Sequence, residues 1–124
     1  MPERGLYAVA PLDELPPGSR KIVDVDGRSI GLFNVQGRII AVLNVCPHEL
    51  APVCLGRWSG TTTPAPPGQF HWGREGEILR CPWHGWEFDL PSGDCLTDRR
   101  RLRRFPTRVA DGQVFVDLSP GARA

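Results

Sequence analysis

No stretch of the sequence approaches the roughly 18 consecutive apolar residues that a membrane-spanning helix requires. A membrane partner is therefore not expected. The first 18 residues carry acids and prolines but no apolar segment of the kind a secretory leader needs. With nothing that directs export, a cytoplasmic location is the expectation. Neither sign of charge is in excess: 15 Lys and Arg against 14 Asp and Glu leave a formal net charge of +1. That balance gives no pull toward nucleic acid. There is no internal repeat and no long helical pattern.

What the sequence does have is turn formers. The 124 residues include 14 Gly and 13 Pro, spread among short apolar runs, which points to one all-β domain rather than to disorder. Residues 13–18 read as a turn following a short helical stretch. Runs at 21–25, 29–35 and 38–45 are separated by Asp26-Gly27 and Gln36-Gly37, both two-residue hairpin signals. The middle of the third run, Ile39 to Leu43, is apolar on both faces, so this strand is expected to be central and buried. Short strands are expected at 77–80 and 86–89. A last hairpin is expected over 102–109 and 113–118, turning at Asp111-Gly112. The stretch around 57–76, rich in Thr, Pro and Gly, reads as an exposed inserted loop.

Four cysteines, Cys46, Cys54, Cys81 and Cys95, would form two disulfides in a small secreted protein. In a chain without an export signal, metal binding is the better use. Cys46-Pro47-His48 and Cys81-Pro82-Trp83-His84 carry that reading. Each pairs a Cys with a His, each has Pro directly after the Cys, and each follows a strand-like run. Cys and His bind iron and zinc well, and Pro stiffens each loop by fixing φ. Structural zinc sites commonly pair like ligands along the chain. Here each loop mixes one thiol with one imidazole, which suits a two-iron cluster with thiolates on one iron and imidazoles on the other. A structural zinc module remains the rival.

Cys46-Pro-His48 followed by Cys81-Pro-Trp-His84-Gly-Trp-Glu-Phe-Asp89 resembles the signature of the Rieske family, and in particular of Rieske-type ferredoxins. The hairpins, the Pro91-Ser92-Gly93 turn and the final Asp-Gly hairpin extend the likeness from about Lys21 to Leu118. The resemblance implies one [2Fe-2S] cluster per chain, with Cys46 and Cys81 on the inner iron and His48 and His84 on the outer one. It implies a base formed by residues 1–43 and 96–124, with a cluster-binding subdomain, 44–95, inserted in it. It also implies the role of a one-electron carrier between a flavin-dependent reductase and a terminal oxygenase. A small subunit of a reductase complex such as nitrite reductase is the alternative. The 32 residues between His48 and Cys81 exceed the usual family spacing, and the 57–76 stretch accounts for the excess.

Trp86 and Phe88 stand where quinol-oxidising members of the family carry hydroxyl donors to cluster sulfur. Without those donors the potential is expected in the lower part of the range of roughly −150 to +300 mV. Trp83 and Trp86 are expected to shield the cluster. Cys54 and Cys95 read as small core residues, with a disulfide between them as the alternative. Arg99, Arg100, Arg101, Arg103 and Arg104 read as a solvated edge strand, with an acidic partner as the alternative. The only further histidine, His71, cannot by itself build the two-His, one-carboxylate iron site of an oxygenase.

Overall fold

The computed structural model describes residues 5–46, 52–63, 71–82, 86–96 and 99–119. Its strands are β1 (Leu6–Pro11), β2 (Arg20–Val25), β3 (Arg28–Val35), β4 (Arg38–Leu43), β5 (Arg57–Thr63), β6 (His71–Arg80), β7 (Glu87–Asp89), β8 (Arg104–Phe105), β9 (Thr107–Ala110) and β10 (Gln113–Asp117). Two 3-10 turns, Leu12–Glu14 and Val53–Leu55, are the helical elements among the described residues. Every strand pairing is antiparallel, so the fold is all-β as expected. No helix among the described residues is long and apolar enough to cross a membrane.

The chain divides into two compact units, Met1–Asn44 with Arg103–Ala124, and Val45–Leu102. The first unit holds two sheets, ordered β1-β10-β9 and β2-β3-β4-β8. Three of its hairpins turn on Asp26-Gly27, Gln36-Gly37 and Asp111-Gly112, each with both φ values positive. That is the type I′ geometry, whose twist matches that of the paired strands. It fixes the registers Val25↔Arg28, Val35↔Arg38 and Ala110↔Gln113.

β10 alternates cleanly: Val114 and Val116 are buried, while Gln113, Phe115 and Asp117 are half-buried. The buried pair meets Ile30, Leu32, Ala41 and Phe105 in one core. Each of these side chains except that of Ala41 contributes about 1.5–3 kcal/mol through its removal from water. β4 is buried through Ile39–Val42 and lies between β3 and β8, as its two-faced apolar run foretold.

Asn34 is the buried polar residue among the described residues of this unit, and both ends of its amide are bonded. Its Nδ2 donates to the carbonyl of Leu15 at 2.8 Å, and its Oδ1 accepts the N–H of Gly37 at 2.7 Å. One side chain thus ties the 15–19 turn to the β3–β4 turn.

β1 was not foreseen from the sequence. It pairs along β10 from Leu6↔Asp117 to Pro11↔Gln113, yet Ala10 is its single fully buried residue. With so little burial it carries almost no periodic signal.

Asp117 closes the end of β10. Its carboxylate accepts hydrogen bonds from the Ser119 hydroxyl and from the Ser119 N–H, the latter at 2.9 Å. The hydroxyl bond is the main cause of a pKa held below the ordinary carboxylate value, with the backbone bond next and Arg108 adding a weaker pull. A lowered folded-state pKa means that this contribution to stability is present above the ordinary Asp range. It is lost as pH falls through the lowered value. An NMR titration of Asp117 should show that depression, and Ser119→Ala should move the midpoint up. An unchanged midpoint in the variant would refute the assignment.

The second unit holds the sheet β5-β6-β7. Here one expectation needs correction. The inserted loop placed at about 57–76 is largely strand: β5 pairs β6 from Arg57↔Arg80 to Thr63↔His71, with an irregularity between Ser59 and Thr61. Residues 64–70 lie outside the described residues. The reason for the error is local. Thr61, Thr62 and Thr63 are β-branched and favour extended backbone, but the prolines and glycine that follow dominate the composition of the segment.

Candidate metal centre

The first Cys–His segment leaves β4 under control. Asn44 donates its backbone N–H to the carbonyl of Ser29 at 2.9 Å and its side-chain N–H to the Ser29 hydroxyl at 3.2 Å. Cys46 follows two residues later and is completely buried. His48 lies outside the described residues. The chain re-enters through the Val53–Leu55 turn, in which Val53 and Cys54 are buried.

Gly56 then passes against the backbone of Arg80. A Cβ built at this position would overlap the Arg80 carbonyl oxygen and stand 2.9 Å from the carbonyl carbon. The close approach sets up the Arg57↔Arg80 pairing. The strand that returns from the first segment is therefore locked to the strand that delivers Cys81.

The second segment begins directly where β6 ends, beside its pairing with β7. Cys81, 1% exposed, donates its N–H to the carbonyl of Trp86 at 2.8 Å. One residue outward, Arg80 Nη2 donates to Glu87 Oε2 at 2.9 Å, across the Arg80↔Glu87 pair. Two residues outward, Leu79 faces Phe88, and both are wholly buried. The closing hydrogen bond, ion pair and apolar pair brace the two strands where Cys81 leaves β6. His84 and Trp83 lie outside the described residues.

Beyond β7, Gly93 donates to the carbonyl of Asp89 at 2.6 Å and the Ser92 hydroxyl to Asp89 Oδ2 at 2.7 Å, forming the expected Pro-Ser-Gly turn. The returning chain joins the hairpin through the bridge Phe88↔Cys95 and is itself folded back by the bridge Asp94↔Arg101. For this reason residues 96–102 fall in the second unit.

All four cysteines are buried and carry thiols rather than disulfides. Cys46 and Cys81 belong to the same unit. Two buried thiols at the ends of braced strands, each followed in sequence by a Pro and then a His, are the donor set a thiolate-and-imidazole two-iron cluster needs. The residues present therefore fit the group. Cys54 and Cys95, buried in this unit, occupy the core positions foreseen for them.

Gly56 escaped the sequence reading. Nothing near Gly56 announces the strand that crosses it. The Arg run was legible, but its division was not: Arg99, Arg100 and Arg101 are exposed and lie in the second unit, whereas Arg103 and Arg104 belong to the first. Arg100 carries its guanidinium over the ring of Trp86, 5.6 Å from the centroid. A groove of about 360 Å³ lined by Arg38, Ile40, Phe105, Pro106 and Thr107 belongs to the first unit and contains none of the four ligand candidates.

Residues 5–107 match the Rieske [2Fe-2S] domain family. The ferredoxin component of the naphthalene 1,2-dioxygenase system of Pseudomonas aeruginosa is 31% identical over 121 residues, covering 96% of this chain and all of that protein. The ferredoxin in a complex of reduced oxygenase and oxidized ferredoxin of carbazole 1,9a-dioxygenase superposes with a TM-score of 0.72. It is 20% identical and covers 98% of both chains, a likeness of fold. The small subunit of a putative NADPH nitrite reductase superposes with a TM-score of 0.63 at 26% identity, over 90% of this chain and 96% of that one. With buried thiols at the predicted positions and a family match spanning most of its length, this chain belongs to the Rieske [2Fe-2S] domain family, and a [2Fe-2S] cluster is its cofactor.

Proposed function

We propose that this protein is the ferredoxin component of an oxygenase system. It receives one electron at a time from a flavin-dependent reductase and delivers it to a terminal oxygenase in the cytoplasm. The observation that carries this reading is the end-to-end match to a dioxygenase ferredoxin component. The unit Val45–Leu102 would hold the cluster, with the remaining chain as its base. Cys46 and Cys81 would bind one iron, and His48 and His84 the other. When bound, a cluster with two neutral imidazoles in place of two thiolates carries less negative charge, so it accepts an electron at higher potential than an all-thiolate one.

This chain's own contribution is to brace the ligands, exclude water and tune that potential. Phe88 is wholly buried and Trp86 half-buried, and neither side chain has a hydroxyl to donate to sulfur. The potential should consequently lie low in the Rieske range.

Purified protein should be red-brown, with two irons and two sulfides per chain, and voltammetry should place its midpoint in the lower half of that range. Mixed with a flavin reductase, a reduced nicotinamide and a terminal oxygenase, it should support turnover that neither partner shows without it. A colourless zinc protein would overturn the reading. The similarity to a nitrite reductase small subunit supports one other role. Stable co-purification with a large reductase subunit would favour it.

A further inference from the structure

Among the described residues, the edges of the three sheets are β1, β9, β2, β8, β5 and β7. Most of them are poor templates for another chain. β7, β8 and β9 have four residues or fewer. β1 is interrupted by a register shift between Ala8 and Ala10, and β5 by one between Ser59 and Thr61. Short or irregular edges discourage pairing with a foreign strand. β2 has neither protection. It pairs with β3 without a break from Arg20↔Phe33 to Val25↔Arg28, and it contains no proline.

The register fixes where the backbone groups of β2 point. The two-residue Asp26-Gly27 turn closes on the hydrogen-bonded pair Val25↔Arg28. Such pairs recur at every second residue, so Val23 and Lys21 also face β3. Two bonds agree with this phase. Asn34 donates its N–H to the Ser19 carbonyl at 3.0 Å, and the carbonyl of Ser29, opposite Asp24, accepts instead from Asn44 at 2.9 Å. The N–H and C=O of Ile22 and Asp24 therefore point away from the sheet, and no hydrogen bond reaches them from the described residues. The side chains of Arg20, Ile22 and Asp24 share one face and are exposed, Ile22 by 37%. The other face carries Lys21, bound to Glu14, and Val23 and Val25, which pack on the core.

We propose that β2 pairs antiparallel with β2 of a second copy of this chain, with Ile22 opposite Ile22 on a twofold axis. The sequence selects this register among those that match outward N–H to outward C=O. Centring the pair on Arg20 or on Asp24 sets like charges face to face, which is destabilising. Centring it on Lys21 or Val23 sets Ile22 against a charge. Centring it on Ile22 packs isoleucine on isoleucine and puts Arg20 of each copy opposite Asp24 of the other. Arg20 also has contacts inside its own chain; the register asks of it only a charge opposite in sign to the one it faces. The two Ile22 residues exchange a pair of N–H···O bonds, and the β2-β3-β4-β8 sheet continues into its copy. A twofold contact is closed, so association stops at the dimer. A net charge of +1 per chain sets little repulsion against it. So short a ladder buries little area, which makes the dimer weak and dependent on concentration. β2 lies in the first unit, so Cys46 and Cys81 take no part.

Sedimentation equilibrium of the intact holoprotein between about 10 µM and about 1 mM should show monomer passing to dimer and no further. Ile22→Lys sets like charges on the axis at an exposed position. It should raise the dimer dissociation constant about ten-fold or more, with the melting temperature and visible spectrum nearly unchanged. Asp24→Arg creates two like-charge pairs and should weaken the dimer about ten-fold. Val109→Lys changes a more exposed apolar side chain, 46% exposed on β9, and should leave the dimer intact. Concentrating the wild type should slow amide exchange at Ile22 and Asp24, but not at Lys21 and Val23, which already bond to β3. A protein that stays monomeric throughout, or a dimer that Val109→Lys disrupts as much as Ile22→Lys does, would overturn the proposal. The electron-carrier reading stands or falls separately, on the cluster.

Discussion

Cys46→Ser and Cys81→Ser should each yield colourless protein without the cluster. The change is nearly isosteric, so it separates ligation from packing. A serine hydroxyl is a hard, weakly acidic donor that does not replace a soft thiolate on iron. Both thiols are buried at the ends of strands, where the backbone has little freedom to bring in another donor. The cost extends beyond colour. The bond energy of the cluster is also folding energy for the segment it joins, so the second unit should become more open to proteolysis. Cys54→Ala and Cys95→Ala are the matched controls. They remove buried sulfur from the same unit and should cost roughly 1–3 kcal/mol of stability while keeping a normal spectrum. Iron and sulfide analysis with a visible spectrum decides the matter. A Rieske spectrum in either ligand variant would refute the assignment of that residue.

The hairpins of the first unit and the two Cys–His segments were legible because each is encoded locally. Asp26-Gly27 and Asp111-Gly112 specify a turn within two residues, and a Cys and a His near one another specify a donor set by chemical type. Features that depend on remote partners were not legible. β1 is a strand because β10 lies beside it, more than 100 residues further along the chain. The strand character of Arg57–Thr63 comes from pairing with His71–Arg80, and the Pro-rich sequence between them hides it. The five arginines read as one patch because they are adjacent in sequence, although the boundary between units falls between Leu102 and Arg103. Local chemistry showed what could bind; the long-range pairings decide what holds the binding groups still.

Gly56 shows that dependence most sharply, and Gly56→Ala should be among the most damaging single-methyl changes in the chain. The backbone is not the obstacle, since φ is −74° and ψ is 177°, an extended conformation open to any residue. The obstacle is space. The new Cβ would overlap the Arg80 carbonyl oxygen, with the Arg80 carbonyl carbon at 2.9 Å and the Val53 carbonyl oxygen at 3.0 Å. All three are backbone atoms, so no side chain can rotate away. Relief requires the Val53–Leu55 turn and the end of β6 to separate by more than an ångström. That movement would break the Arg57↔Arg80 pairing and displace Cys81, the next residue. Overpacking of this kind costs about 3 kcal/mol or more when the neighbours cannot yield. The prediction is a large fall in melting temperature together with poor cluster loading. Gly37→Ala provides the contrast. Its φ is +95° and nothing lies within 4 Å of an added Cβ, so it should cost about 1–2 kcal/mol of backbone strain and leave loading intact. If Gly56→Ala incorporated iron and melted like the wild type, the close approach would not be what positions the Cys81 hairpin.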